Sequence, residues 1–173
     1  LAVLAPSQNH SATGMRINLM KPMAFRERND LVEHWGLDSH TTPVHLFELD
    51  GTPCDTMIVA LDGGLSHLVP GVHPQMVVSG VNLGPNLSQD SYHSGTMGAA
   101  REAGLYGVPA LAASFTSFEA EGMERAVQAT IDAVERATAV LPLEAKNMGR
   151  PNGALDTGYF TSWPSALTED RWL

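Results

Sequence analysis

The chain has 173 residues, a net charge of −9 and 43% hydrophobic but only 6% aromatic residues, which describes one acidic domain with an aliphatic core. Basic residues never cluster, which disfavours a polymeric nucleic-acid partner, and the apolar runs are far short of the ~20 residues of a membrane span. No basic-then-apolar leader pattern is visible, and a single cysteine, Cys54, excludes an intramolecular disulfide and fits a reducing, cytoplasmic setting.

In chain order, Ala2 to Ala5 is a short continuous apolar run, the mark of a buried parallel strand. A polar loop follows from Pro6 to Gly14. Met15 to Met20 alternates in a period of two, which predicts a half-exposed strand. Pro22 to Thr42 is poorly periodic, with one more strand placed near Leu31–Trp35. Val44 to Leu49 is a strand stopped by the Asp50-Gly51 turn. Thr52-Pro53-Cys54-Asp55 then starts a helix: Thr52 can cap it, Pro53 has no N–H to leave unsatisfied, and Asp55 completes a capping-box spacing. Cys54, Met57, Ile58, Leu61 and Leu65 share one buried face, where Cys54 is read as a packing thiol, and Gly63-Gly64 is read as the helix end.

Met76 to Val78 predicts another buried strand, followed by a long loop rich in Gly, Asn, Pro and Ser. A helix is predicted from about Thr96 to Tyr106, with Gly107 beyond its end. Pro109 to Ser114 is the next strand, and Glu119 to Leu141 is a long helix ended by Pro142. The pattern is α/β, with a mainly parallel sheet and helices on both faces. Residues 1–142 form the domain; residues 143–173, which lose periodicity, read as an irregular arm or truncated tail. The chain opens in apolar sequence without Met and closes at Arg171-Trp172-Leu173, so both ends read as cut.

Chemistry is expected in two loops. The loop after Val78 is far longer than the about 2–6 residues that a plain strand-to-helix connection needs. It carries Asn82, Asn86 and Asp90 and closes on a small-residue helix start, Ser94-Gly95-Thr96. Unpartnered N–H groups and the helix dipole make such a start suitable for an anion or a metal–phosphate group. The second loop, with Ser7, Asn9, His10, Ser11 and Thr13, also leaves the carboxyl end of a predicted parallel strand, so both loops should meet on one sheet edge. Neutral oxygens of this kind suit Mg²⁺ or Mn²⁺ when carboxylates and water complete the set. Neither loop supplies a carboxylate pair, and Asn and Ser are also ordinary turn formers. Asp90 either orients a site residue or is merely solvated. His93 beside Ser94 does not make a serine-hydrolase pair, because adjacent residues rarely align as base and nucleophile and no Gly-x-Ser-x-Gly elbow is present. His34, His40 and His45 lack zinc-site spacing.

Val78-Ser79-Gly80-Val81-Asn82-Leu83-Gly84-Pro85-Asn86 followed by His93-Ser94-Gly95-Thr96-Met97-Gly98-Ala99-Ala100 resembles the core signature of the SurE family. Ala5-Pro6 through Ser11-Ala12-Thr13-Gly14, Asp50 to Asp55, and Gly107-Val108-Pro109-Ala110-Leu111-Ala112 resemble three further motifs of that family, in the same order. The similarity covers residues 1 to about 115 and fades past the long helix. It implies a SurE-like, Rossmann-like fold and a divalent-metal-dependent phosphomonoesterase acting on nucleoside 5′- or 3′-monophosphates. It further implies a homodimer or higher homo-oligomer. Carried over by position, Ser11 and Asn82 would be metal ligands. Asn86, Ser94, Gly95 and Thr96 would hold phosphate, with Asn86 and Ser94 taking part in catalysis. The family's other two ligands are aspartates of an Asn-Asp-Asp-Gly motif that this sequence does not contain. Tight metal binding and normal turnover are therefore not expected of these residues alone. The alternative is a phosphate- or nucleotide-binding module without catalysis.

Overall fold

The computed structural model describes residues 1–141, so the arm expected at 143–173 lies outside the described residues. The chain begins with β1 (Ala2–Pro6), β2 (Phe25–Glu27), α1 (Asn29–His34) and a short 3₁₀ turn at Leu37–Ser39. β3 (His45–Leu49) and α2 (Pro53–Val59) follow; a distorted segment, Ala60–Gly64, links α2 to α3 (Leu65–Leu68). The second half runs β4 (Val77–Leu83), α4 (Asp90–His93), α5 (Gly95–Leu105), β5 (Ala110–Phe115) and α6 (Met123–Val140).

The strands form two groups. β1 pairs in parallel with β3, and β2 adds to the other edge of β3 in antiparallel sense. β4 pairs in parallel with β5. Phe47 of β3, Ala60 and Leu65 form one core cluster. Phe47 is 3% exposed and stacks on Phe25 of β2 with ring centroids 5.3 Å apart; its burial is worth about 1.5–3 kcal/mol. The second cluster joins Met97 and Ala100 of α5 to Ala112 of β5, and α5 and α6 both pack on the β4–β5 pair.

The free edges of β1 and β4 border one groove of about 990 Å³, with Met57 and Ala60 from α2's side and Ala99 of α5 among its lining. Helices α2 and α5 pack against each other and so hold the two strand groups side by side. At one end the groove is lined by Pro6, Asn82 and Thr96.

Several elements differ from the sequence reading. Met15 to Met20 is not a strand: Asn18 N–H donates to Asp55 Oδ1 at 2.9 Å, and Arg16 C=O accepts from the Thr52 hydroxyl at 2.6 Å. Its backbone is spent on a helix end rather than on a ladder. The region near Leu31–Trp35 holds α1, and the strand there is β2, upstream. Gly63-Gly64 bends the α2–α3 segment without ending it, since the non-helical angles are confined to Asp62 and to Gly63 at φ +102°. β4 runs on to Leu83, well into the segment expected to be loop, and α4 is an added turn of helix inside that connection.

Candidate functional site

The decisive local feature is an irregularity in β4. Val77, Val78 and Ser79 face Ala110, Leu111 and Ala112, but the next pairs are Asn82 with Ser114 and Leu83 with Phe115. Three steps along β4 thus match two along β5, which is a bulge, and bulges re-aim the side chains beyond them. Gly80 makes it possible: it sits at φ +116°, where a Cβ would strike the Ala113 carbonyl oxygen. Beyond the bulge, Asn82 Oδ1 accepts from the Thr96 hydroxyl at 3.2 Å, and its Nδ2 donates to the Gly84 carbonyl at 2.8 Å. Asn86 Nδ2 donates to Ser114 Oγ at 2.7 Å. The strand ends and the α5 start are thereby tied into one cluster.

Ser94 caps α5 in extended backbone conformation, its hydroxyl accepting from Met97 N–H at 3.2 Å. Gly98 N–H turns back to the Ser94 carbonyl. Of the first-turn donors that α-helical geometry leaves without an intrahelical partner, Met97 N–H is taken by the Ser94 cap and those of Gly95 and Thr96 remain; no acidic residue lies in that turn. The loop after β1 arrives at the same place. A Cβ on Gly95 would lie 3.0 Å from Thr13 Oγ1 and 3.4 Å from the His10 carbonyl oxygen. Gly14 N–H donates to the His93 carbonyl at 2.7 Å, and Gly98 passes so close to the Gly14 carbonyl that only glycine fits there. Thr13 hydroxyl donates to His10 C=O at 2.8 Å, holding the loop's turn. Ser11 stands exposed in this loop, its N–H and hydroxyl both donating to Asn9 Oδ1.

Beneath lies the start of α2. Asp55 Oδ2 accepts from Thr52 N–H at 2.8 Å while Thr52 Oγ1 accepts from Asp55 N–H at 3.2 Å, a complete capping box. Asn18 adds its backbone N–H and its amide at 2.9 and 2.7 Å. Burial opposes the charge on Asp55, yet the donors of Asn18 and Thr52 prevail and hold its carboxyl below the usual range. Glu102 of α5 is 8% exposed, and burial followed by the nearby Asp55 charge pushes its carboxyl up. Burial, with Glu102 and Asp55 behind it, also pushes the Cys54 thiol up to about 12, so this fully buried cysteine is an inert packing group, as its helical face implied.

The donor set tests the expected metal. Asn82 Oδ1 keeps one lone pair beyond the Thr96 bond, and the Ser11 hydroxyl keeps its acceptor sites. Both are neutral, and among the described residues no group of three or more His, Cys, Asp or Glu could hold an ion. Ser11 and Asn82 by themselves therefore do not fit a tightly held Mg²⁺ or Mn²⁺.

The Survival protein SurE family model matches residues 1–155. The chain belongs to the SurE family. It is 34% identical over 140 residues to the 5′-nucleotidase SurE of Anaeromyxobacter sp. (strain Fw109-5), covering 81% of this chain and 48% of that protein. It is 34% identical over 136 residues to the 5′-nucleotidase SurE of Synechococcus elongatus, covering 79% and 48%. A crystal structure of the SurE protein from Aquifex aeolicus superposes with a TM-score of 0.63 at 26% identity, over 81% of this chain and 50% of that one. The chain thus spans about half the length of the SurE relatives it matches. The mixed α/β architecture with parallel strand pairs is the SurE-like fold expected from the motifs. No helix among the described residues is long and apolar enough to cross a membrane.

Asn82, Asn86, Ser94, Gly95 and Thr96 lie in the joined cluster, and the Ser11 loop abuts it through Thr13. Two contributors were missed from sequence. Ser114 lies near the end of an apolar strand, and only the bulge register puts it opposite Asn82; Asn18 sits in a segment whose alternation suggested a strand.

Proposed function

We propose that this SurE chain supplies the phosphate-binding part of a hydrolase that converts nucleoside 5′- or 3′-monophosphates to nucleoside and phosphate. The observation that carries the reading is the open start of α5. Two first-turn N–H groups without intrahelical partners stand where the β4 and β1 loops meet, with no acid to neutralise them. There the Gly95 and Thr96 N–H groups would bind phosphoryl oxygens and stabilise the charge that builds on them. Ser94 would hold the turn that aims them, and Asn86, anchored on Ser114, would orient the phosphate from the strand side.

Ser11 and Asn82 would offer neutral oxygens toward a divalent cation but do not complete its site. The groove between β1 and β4 ends at Asn82 and Thr96. A strand seated in it parallel to β1 would bring the loop that follows to those residues, which is where the aspartates implied by the family resemblance would be needed. Homo-oligomerisation and a cytoplasmic location belong to the same proposal.

Calorimetric titration with inorganic phosphate tests the reading: saturable binding that Ser94→Ala weakens is expected, and equal affinity in the variant would reduce the segment to a helix cap. Nucleoside monophosphate with Mn²⁺ or Mg²⁺ is expected to give little turnover with residues 1–173 alone. Robust metal-dependent release of phosphate would show that another carboxylate, Asp90 first, completes the site.

A further inference from the structure

We infer that Phe118 is the nucleobase platform of this site, an inference that rests on the phosphate-binding reading above. Phe118 lies in the connection after β5, at the carboxyl edge where Asn82, Asn86 and Thr96 gather. Its ring rests over Gly84: a Cβ there would meet Phe118 Cε1 at 2.7 Å and Asn82 Nδ2 at 3.7 Å. The ring and the site amide therefore border the same point of backbone. Gly84 stands at φ +114°, with its N–H on the Phe115 carbonyl and its own carbonyl held by Asn82. The support under the ring is fixed by hydrogen bonds on both sides.

Despite that support, Phe118 is 76% exposed. A large apolar ring held against rigid backbone at the rim of a polar cluster offers what a nucleoside needs and an inorganic anion does not. With the phosphate at the α5 start, the base of a nucleotide projects outward across the rim, and an aromatic ring there can stack on it. Another exposed ring, Tyr92, already carries the Arg101 guanidinium, 5.4 Å from its centroid. Leu87, also exposed, has no π-face. Every base presents a π-face, so Phe118 favours nucleotides over sugar phosphates without choosing sharply among bases.

The test compares adenosine 5′-monophosphate with ribose 5-phosphate, by calorimetric titration of the chain and its Phe118→Ala and Phe118→Trp variants. Phe118→Ala is expected to bind the nucleotide about tenfold more weakly, from the typical strength of base–aromatic stacking. Phe118→Trp should keep or improve that affinity, and ribose 5-phosphate should bind all three alike. Unchanged nucleotide affinity in Phe118→Ala, or equal loss of both ligands, overturns the platform and leaves the phosphate site standing. Failure of the unaltered chain to bind either ligand overturns the phosphate site and Phe118's role with it.

Discussion

The starts of α2 and α5 are neighbours with opposite fates. Pro53, the first residue of α2, lies against Gly95, the first residue of α5. At α2 the end is closed: Thr52, Asp55 and Asn18 satisfy one another, Pro53 removes a donor, and the Asp55 charge answers the helix dipole. At α5 only Met97 N–H is capped by a side chain, and no acid follows. One helix start is a structural anchor, and the other leaves the Gly95 and Thr96 N–H groups uncapped, the donors on which the phosphate proposal rests. Both carry a hydroxyl cap, so the difference comes from what stands three residues on: Asp55 in α2, Met97 in α5.

Breaking the closed end should have the largest effect. Asp55→Ala leaves the Thr52 N–H and both Asn18 donors without their acceptor and is expected to cost about 2–4 kcal/mol of stability. Urea unfolding checks this, and a change below about 0.5 kcal/mol would mean that solvent replaces the carboxylate. Gly98→Ala attacks the contact between α5 and the β1 loop. Overpacking of this kind costs about 1–3 kcal/mol, read as a lower melting temperature, and it should also weaken phosphate binding by displacing Gly14 from the α5 start.

Ser94→Ala opens the remaining cap, for about 1 kcal/mol of stability. Its effect on phosphate should be several-fold, whereas Thr52→Ala at the closed end should affect folding alone. Equal effects on phosphate binding from both variants would erase the distinction between the two starts. The smallest effect is in pH dependence, where the two buried carboxyls act in opposite directions. Asp55, held below its ordinary value of 3.8, contributes stability that is lost as pH falls from that value through its lowered folded value. Glu102, raised above 4.5, binds a proton more readily when folded, so its contribution is present at acid pH and lost as pH rises through its raised value. Glu102→Gln should flatten the loss on the alkaline side of 4.5 and leave the acid limb unchanged, as pH-dependent thermal melts would show.

How legible each region was follows the range of its interactions. The α2 start was readable because Thr52, Pro53 and Asp55 act within one turn. The α5 start was readable for the same reason, with Ser94 next to Gly95 and Thr96, and the family motifs marked both loops. Met15 to Met20 misled because alternation of side chains reports a period, not a partner; Asn18 and Arg16 bond to residues 36 or 37 positions away. The Gly63-Gly64 pair misled because permissive backbone can bend a helix as readily as end it.

Sequence alone thus determined the α/β class, the SurE motifs, the capped start of α2 and the polar residues around the start of α5, because each is local chemistry or a local period. Tertiary structure decided that Asn82 meets Thr96, that Ser114 anchors Asn86, and that Phe118 stands over Gly84. Those pairings depend on one inserted residue in the β4–β5 register and on glycine-permitted close approach, and both arise only when distant strands and loops are packed together.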